Sequence, residues 1–267
     1  MTWLALPWVF VRRDASIARS YPLPFVLQVL ATAGILLVVN RVGLLVDPDR
    51  SADPAMQAGF YSYVLVGVVV LQLVTAAIVS FSAQLREEQS TGTFEALLST
   101  PTPPAVTVLC LAGYPLLRGL VASGVLVAGG VATGAHLDVT PASGLAAVLC
   151  LAGLVFLGAA AGVLVAAFLV VYKRGGGLTG WLVTLMAFVS GIYFPVSQLP
   201  GVGRSLAEAV PFTWGITALR SQVLLGHPDT TRALATLLAG CVLLVAALWI
   251  FARALDAARR RGTLGFY

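Results

Sequence analysis

Glu87, Glu88 and Glu95 stand beside Phe94, Leu97 and Leu98, an acidic shoulder next to an apolar tip. Most other residue types that could do chemistry are placed where they do little. All eleven acidic residues fall in tails or connectors, and both histidines, His136 and His227, fall in predicted outer loops. Proton-coupled transport usually needs a titratable group inside the membrane, and no apolar run supplies one. Intramembrane hydrolysis needs a Ser/His pair, paired aspartates or a metal-binding HExxH helix, and none is present. Cys110, Cys150 and Cys241 lie inside apolar runs with no Cys or His at metal spacing, so they read as small buried hydrophobes, and no metal site is expected. The one lysine, Lys173, stands in Tyr-Lys-Arg, so there is no GxxxxGK[ST] phosphate loop. No catalytic residue is expected, and energy for any pumping must come from another polypeptide.

Arg118 is the one charge deep inside an apolar run. An intramembrane arginine costs about 2.5–3.5 kcal/mol on insertion scales and therefore faces protein or water. It either lines a substrate path or pairs with a backbone carbonyl or a loop acid. Gly158 and Gly162 make a GxxxG pair whose plain reading is close helix packing.

The connector Gln84–Pro101 carries the most information. Glu87 and Glu88 follow an apolar run directly. Gly92 either ends that helix or caps the next, and Glu95 sits three residues on, where a carboxylate suits a helix N-terminus. Phe94, Leu97 and Leu98 give a short apolar face, and Pro101, Pro103 and Pro104 stop the helix. Such an elbow suits a groove on a partner protein.

These residues are carried by a chain whose solvent must be lipid. Apolar residues make up 59% of 267 and charged residues 10%, against about 25% charged in soluble domains. About 20 apolar residues cross the hydrocarbon core, which predicts spans near 25–46, 60–84, 105–130, 143–171, 178–194 and 231–252 in one all-α membrane domain over 1–267. The first run begins only after Pro24, which fits a retained span and not a cleaved signal. The net charge of +5 is scattered or sits at span ends, so it is no nucleic-acid footprint.

Charge asymmetry orients the chain. With the N-terminus in the cytoplasm, Arg12, Arg13, Arg19, Arg86, Lys173, Arg174, Arg253 and Arg259–Arg261 lie inside. Arg41, Arg50, Arg204, Arg220 and Arg232 lie outside. Ten against five obeys the positive-inside rule. Six spans then place both termini in the cytoplasm. Segment 3–21 puts Leu6, Phe10, Ile17 and Tyr21 on one helical side and Arg12, Ser16 and Arg19 on the other, as in a helix lying on the inner surface with Trp3 and Trp8 as anchors. A basic flank explains the arginines but not the stripe. Segment 194–229 is too apolar for a solvated loop and too broken for a span. It reads either as an apolar outer loop or as two short helices joined at the Pro200–Gly201 turn and resting in the outer leaflet, with Arg204 and Glu208 paired at i,i+4.

With these residues in view, the sequence resembles the permease subunits of type-2 ABC exporters, which move drugs, O-antigen-like glycans, teichoic acids and lipid-linked molecules. The pattern is Arg86-Glu87-Glu88, then Gly92-Thr93-x-Glu95-x-Leu97-Leu98-x-Thr100-Pro101. A second match is Tyr193-Phe194-Pro195-Val196-Ser197-x-Leu199-Pro200 with Pro211-Phe212-Thr213, and a looser one is Arg12-Arg13-Asp14. The resemblance implies an N-terminal interface helix at 3–21, a cytoplasmic coupling helix at 86–100 and an extracellular re-entrant helical hairpin at 194–226. It implies that Arg86, Glu87, Glu88, Gly92, Thr93, Phe94, Glu95, Leu97 and Leu98 seat in a separate ATP-binding cassette subunit, which holds ATP and Mg. A second permease copy or a paralogue completes the unit, and cargo passes along the seam between them. Arg-over-Lys and Ala-rich usage points to a bacterium and its inner membrane. Two other readings stay open: a floppase or secondary carrier without an ATPase, and a structural subunit that only docks a soluble partner.

Overall fold

A computed structural model describes residues 6–19, 23–43, 53–92, 102–172, 177–193 and 195–260. The described residues are helical, with no strand among them. In chain order the helices are α1 (Leu6–Arg19), α2 (Leu23–Gly43), α3 (Pro54–Gln57), α4 (Phe60–Ser90), α5 (Pro104–Leu111), α6 (Gly113–Ala132), α7 (Pro141–Tyr172), α8 (Leu178–Val189), α9 (Gly201–Ala209), α10 (Pro211–Leu224) and α11 (Thr230–Arg260). A 3-10 turn, Val196–Gln198, precedes α9.

Among the described residues, five segments are long and apolar enough to cross a membrane: Val26–Gly43, Phe60–Glu88, Ala105–Ala132, Pro141–Tyr172 and Thr230–Arg260. This is a multi-pass membrane protein. Helix α8 is apolar but has 12 residues, roughly 18 Å at 1.5 Å per residue, short of the ~30 Å hydrocarbon core. The predicted span 178–194 therefore ends as a helix at Val189.

Local sequence explains where the helices begin and break. Thr140 and Ser143 cap α7 reciprocally: the Ser143 amide donates to Thr140 Oγ1 at 3.2 Å, and the Thr140 amide donates to Ser143 Oγ at 3.0 Å. Asp53 caps α3 by accepting the Ala55 amide at 2.9 Å, with Pro54 at the first helical position. The predicted 105–130 span is interrupted at Ala112. Pro115 is the cause, because it has no N–H and its ring crowds the carbonyl four residues back, at Leu111.

The core is built on α7, which packs on α4, α10 and α11. Gly158 and Gly162 are where α4 comes closest. A Cβ on Gly158 would lie 2.9 Å from the Ala77 Cβ, and one on Gly162 would lie 2.7 Å from the Ile78 carbonyl oxygen. The GxxxG pair is thus a packing surface. Cys110 and Cys150 are buried and Cys241 is partly so. At the periphery, α2 leaves Leu27, Leu30, Leu37 and Val38 exposed, a face that only lipid or another apolar surface can cover.

Two boundaries differ from the sequence expectation. Arg86, Glu87 and Glu88 lie inside α4, which runs without interruption to Ser90, so no separate helix begins at 86. The short helices of the 194–226 segment meet at Val210–Pro211, not at Pro200–Gly201. Pro200 instead precedes the first of them as its extended N-cap residue, a position where a missing N–H costs nothing. The expected pair between Arg204 and Glu208 forms at 2.7 Å.

Candidate functional site

Helix α4 delivers Arg86, Glu87 and Glu88 to one end of the bundle, and its last turn is tied off by side chains. Ser90 Oγ and Thr91 Oγ1 each donate to the Glu87 carbonyl at 2.9 Å, adding to the 3.0 Å bond that the same carbonyl accepts from the Thr91 amide. Gly92 follows with φ +73°, the left-handed conformation that stops helices and favours glycine. Of the two options open for Gly92, it ends α4. Thr93, Phe94, Glu95, Leu97 and Leu98 lie outside the described residues.

The three charged residues at this end have different fates. Arg86 and Glu87 are exposed, whereas Glu88 is buried. Its partner comes from α1. Arg13 donates through Nη2 to Glu88 Oε1 at 2.9 Å and through Nε to Asp14 Oδ1 at 2.8 Å. The guanidinium also lies over the Phe10 ring, 5.2 Å from its centroid. Burial works against the Arg13 charge, but the hydrogen bonds to Asp14 and Glu88 outweigh it and raise its pKa above the ordinary value. Asp14 is buried with its Oδ2 unpaired. One guanidinium thus sits between two carboxylates.

The cluster locks α1 in place. Helix α1 also packs on α5 and α6, where Val11 approaches Gly113 so closely that a Cβ there would lie 3.3 Å from a Val11 methyl. Trp8, Arg12 and Ser16 face outward. A helix is present over Leu6–Arg19, within the segment 3–21 where one is expected. The pairing of Arg13 with Glu88 went unread in the sequence, although Arg12-Arg13-Asp14 and Glu87-Glu88 were both singled out. Nothing in the spacing of residues 75 apart joins them.

Arg118 lies on the exposed side of α6, and among the described residues no partner reaches it. The fold does not bring it to Glu87 or Glu88.

The opposite end of the bundle holds a charge that the sequence placed in an outer loop. Arg220 is 4% exposed and lies within α10. Its Nη1 donates to the Tyr63 hydroxyl at 2.7 Å and to the Gly191 carbonyl at 2.8 Å, and its Nη2 donates to the Ile192 carbonyl at 2.7 Å. Arg220 therefore joins α10, α4 and the chain leaving α8. The available signal was the polar stripe Thr213, Thr217, Arg220, spaced i, i+4, i+7 along the helix.

The sequence model of one protein family, described as ABC-2 type transporter, matches residues 6–224. No curated protein matches the chain.

Proposed function

The chain belongs to the ABC-2 type transporter family, since the matched segment covers most of it, and on that premise we propose that it is the membrane permease of an ATP-driven exporter. Membership implies an ATP-binding cassette partner in general. In this reading the partner docks at the Glu88 end of α4, and residues 93–98 supply the apolar tip that it grips. Thr93, Phe94 and Glu95 would enter the groove with Leu97 and Leu98, while Arg86 and Glu87 meet its rim. The observation that carries the reading is the bond from Arg13 to Glu88. It fixes α1 to the last turn of α4, just before Gly92 turns the chain into the predicted tip. A push on that tip would then be felt by both α1 and α4 rather than dissipated in a loop.

We further propose six spans, with α8 extended through its neighbouring residues as the fifth. Both termini and the Glu88 end would face the cytoplasm of a bacterium across its inner membrane. The 194–226 segment would lie outside as a re-entrant hairpin. A second permease copy or a paralogue would complete the transport path, with a drug, lipid or glycan as cargo and Arg118 as a candidate path residue. ATP and Mg would be bound by the partner subunit alone. The test is co-purification from the native membrane. An ATPase carrying a Walker-A loop, released by charge reversal at Glu87 and Glu95, supports the reading. Transport driven by the purified chain alone under a pH gradient overturns it.

A further inference from the structure

Helix α11 ends in a stripe whose chemistry changes along its length. Val242, Val245, Trp249, Arg253 and Arg260 fall within about 80° of arc at 3.6 residues per turn. They lie on the side opposite the buried Phe251, Leu255 and Ala258. Val242, Val245 and Trp249 are 67%, 68% and 60% exposed, so no described element covers this side. The stripe is aliphatic, then aromatic, then basic.

Helix register fixes the height at which it changes. A Cβ on Gly158 would meet Val74 and Ala77 of α4, and one on Gly162 would meet Ile78 and Phe81. A Cβ on Gly153 would meet Thr236 and Leu237 of α11, and one on Gly240 would meet Phe156 and Leu157. Contacts advance together along both pairs, so α4, α7 and α11 run parallel. Carried down at 1.5 Å per residue, these registers put Arg253 at about the level of Arg86, the first charge past the apolar run of α4. Trp249 stands roughly 6 Å nearer the hydrocarbon and Arg260 roughly 10 Å further out. A headgroup layer is roughly 5–8 Å deep on each side. Trp249 is therefore at the acyl boundary and Arg253 among the phosphates.

Arg253 is held in place with its donors free. Its guanidinium lies over the Trp249 ring, 4.7 Å from the centroid. Among the described residues none of its N–H groups has an acceptor. A planar fork fixed on an aromatic face is the arrangement that gives a phosphate two N–H bonds at once. Asp256 is the one acid on this part of α11, and Arg259 takes it at 3.9 Å. Arg253, Arg259 and Arg260 against Asp256 leave a net charge of +2. A zwitterionic headgroup would leave that excess standing, whereas an anionic one neutralises it. An acidic protein surface would account for the arginines but not for the exposed Val242, Val245 and Trp249 that lead into them.

We propose that this face of α11 binds the anionic headgroup of a phospholipid in the leaflet at the Glu88 end. The acyl chains run along Val242 and Val245, and the phosphate accepts from Arg253 beside the Trp249 ring. Arg259 and Arg260 add a longer-range attraction, as basic clusters next to a span do for anionic lipid. The inference needs only that the chain spans a membrane and does not depend on the exporter assignment.

The test is quenching of tryptophan fluorescence in the full-length chain, reconstituted without any partner. Vesicles hold one fixed mixture of phosphatidylglycerol and phosphatidylcholine, with bromine on the acyl chains of one lipid or the other. Subtracting the signal of Trp249→Phe, made in each background, isolates Trp249. Its quenching should report phosphatidylglycerol enriched about fivefold over its bulk share, the effect of roughly one arginine at the surface. Arg253→Gln, at an exposed side chain, should remove most of that enrichment without lowering the melting temperature. Arg259→Gln with Arg260→Gln should lower it at low salt and change little at high salt, because those charges act through water. Equal quenching by the two brominated lipids overturns the proposal. So does enrichment that survives Arg253→Gln, and if that variant instead loses ATPase co-purification, the arginine serves a protein partner.

Discussion

Arg220 and Tyr63 meet twice: the guanidinium donates to the phenol oxygen at 2.7 Å, and its carbon stands 3.5 Å from the ring centroid. The ring that accepts the hydrogen bond therefore also faces the charge, and the same guanidinium closes onto the Gly191 and Ile192 carbonyls. A fully buried arginine is tolerable only when most of its donors are engaged. Three elements that are distant in sequence thereby share one charge.

Tyr63→Phe should lower stability by about 1.5–3 kcal/mol, the usual cost of losing a hydrogen bond to a charged group. Arg220→Met should cost more, because it also leaves the two carbonyls buried and unpaired. Thermal unfolding in a mild detergent should rank wild type above Tyr63→Phe and Tyr63→Phe above Arg220→Met. Equal melting temperatures would mean that Arg220 is solvated and not a strut.

Gly67 reports on the same place from α4. A Cβ there would lie 2.4 Å from the Ile192 carbonyl oxygen and 2.9 Å from Arg220 Nη2, and neither can retreat without breaking their hydrogen bond. Gly67→Ala should destabilise by about 1–3 kcal/mol, as overpacking does. Gly124→Ala, at a helical glycine whose Cβ would meet nothing within 4 Å, should be neutral or slightly stabilising. Both variants belong in the same unfolding series.

The long apolar runs were legible because lipid imposes a length and a composition that single residues reveal. The pairing of Arg204 with Glu208 was legible because it is local. Arg220 was not, because a charge in a broken, Pro- and Gly-rich segment reads as solvated until the fold closes over it. The continuity of α4 through Glu88 was hidden for a related reason. Arg86-Glu87-Glu88 looks like the end of a span by hydropathy, yet charged residues are good helix formers, and the helix continues through them to Ser90. The junction of α9 and α10 at Val210–Pro211, and not at Pro200–Gly201, reflects two prolines that can each open a helix, so only packing decides which one follows a break.

The Arg13–Glu88 bond should be measurable as a coupling energy. Its Arg13 side chain is 42% exposed and its Glu88 side chain 8%, so solvent screens it in part. A double-mutant cycle with Arg13→Gln and Glu88→Gln should return about 0.5–1 kcal/mol. The same variants should weaken co-purification of the ATPase by more than that energy requires if α1 helps aim the docking end. A coupling energy of zero would reduce the contact to a surface decoration.

Orientation is testable at two exposed serines, Ser90 after the Glu87–Glu88 pair and Ser205 on α9. In a background lacking Cys110, Cys150 and Cys241, Ser205→Cys should react with an impermeant maleimide in intact cells. Ser90→Cys should react only after lysis. The ten-to-five charge split motivates this expectation. The reverse pattern would put the Glu88 end outside and remove the docking role with it.

Gly92 separates the docking role from a mere solvated loop. Its φ of +73° costs an ordinary residue roughly 1–2 kcal/mol, and a β-branched side chain is poorly placed there. Asparagine tolerates this conformation. Gly92→Val should therefore redirect the chain leaving α4, while Gly92→Asn should keep its course. Neither change touches an apolar span, so insertion and expression should stay near wild type. If residues 93–98 form the tip that a partner grips at about 25 cal/mol per Å² of buried apolar area, misdirecting them should sharply reduce ATPase co-purification in Gly92→Val but not in Gly92→Asn. Nucleotide hydrolysis by the reconstituted pair should lose its stimulation by cargo in the same order. A strained loop with no partner would instead leave both variants alike, apart from a small loss of stability in Gly92→Val. Wild-type co-purification with Gly92→Val would rule out the tip as the docking element, leaving Arg86, Glu87 and the Arg13–Glu88 cluster as the surface to which a partner could still attach.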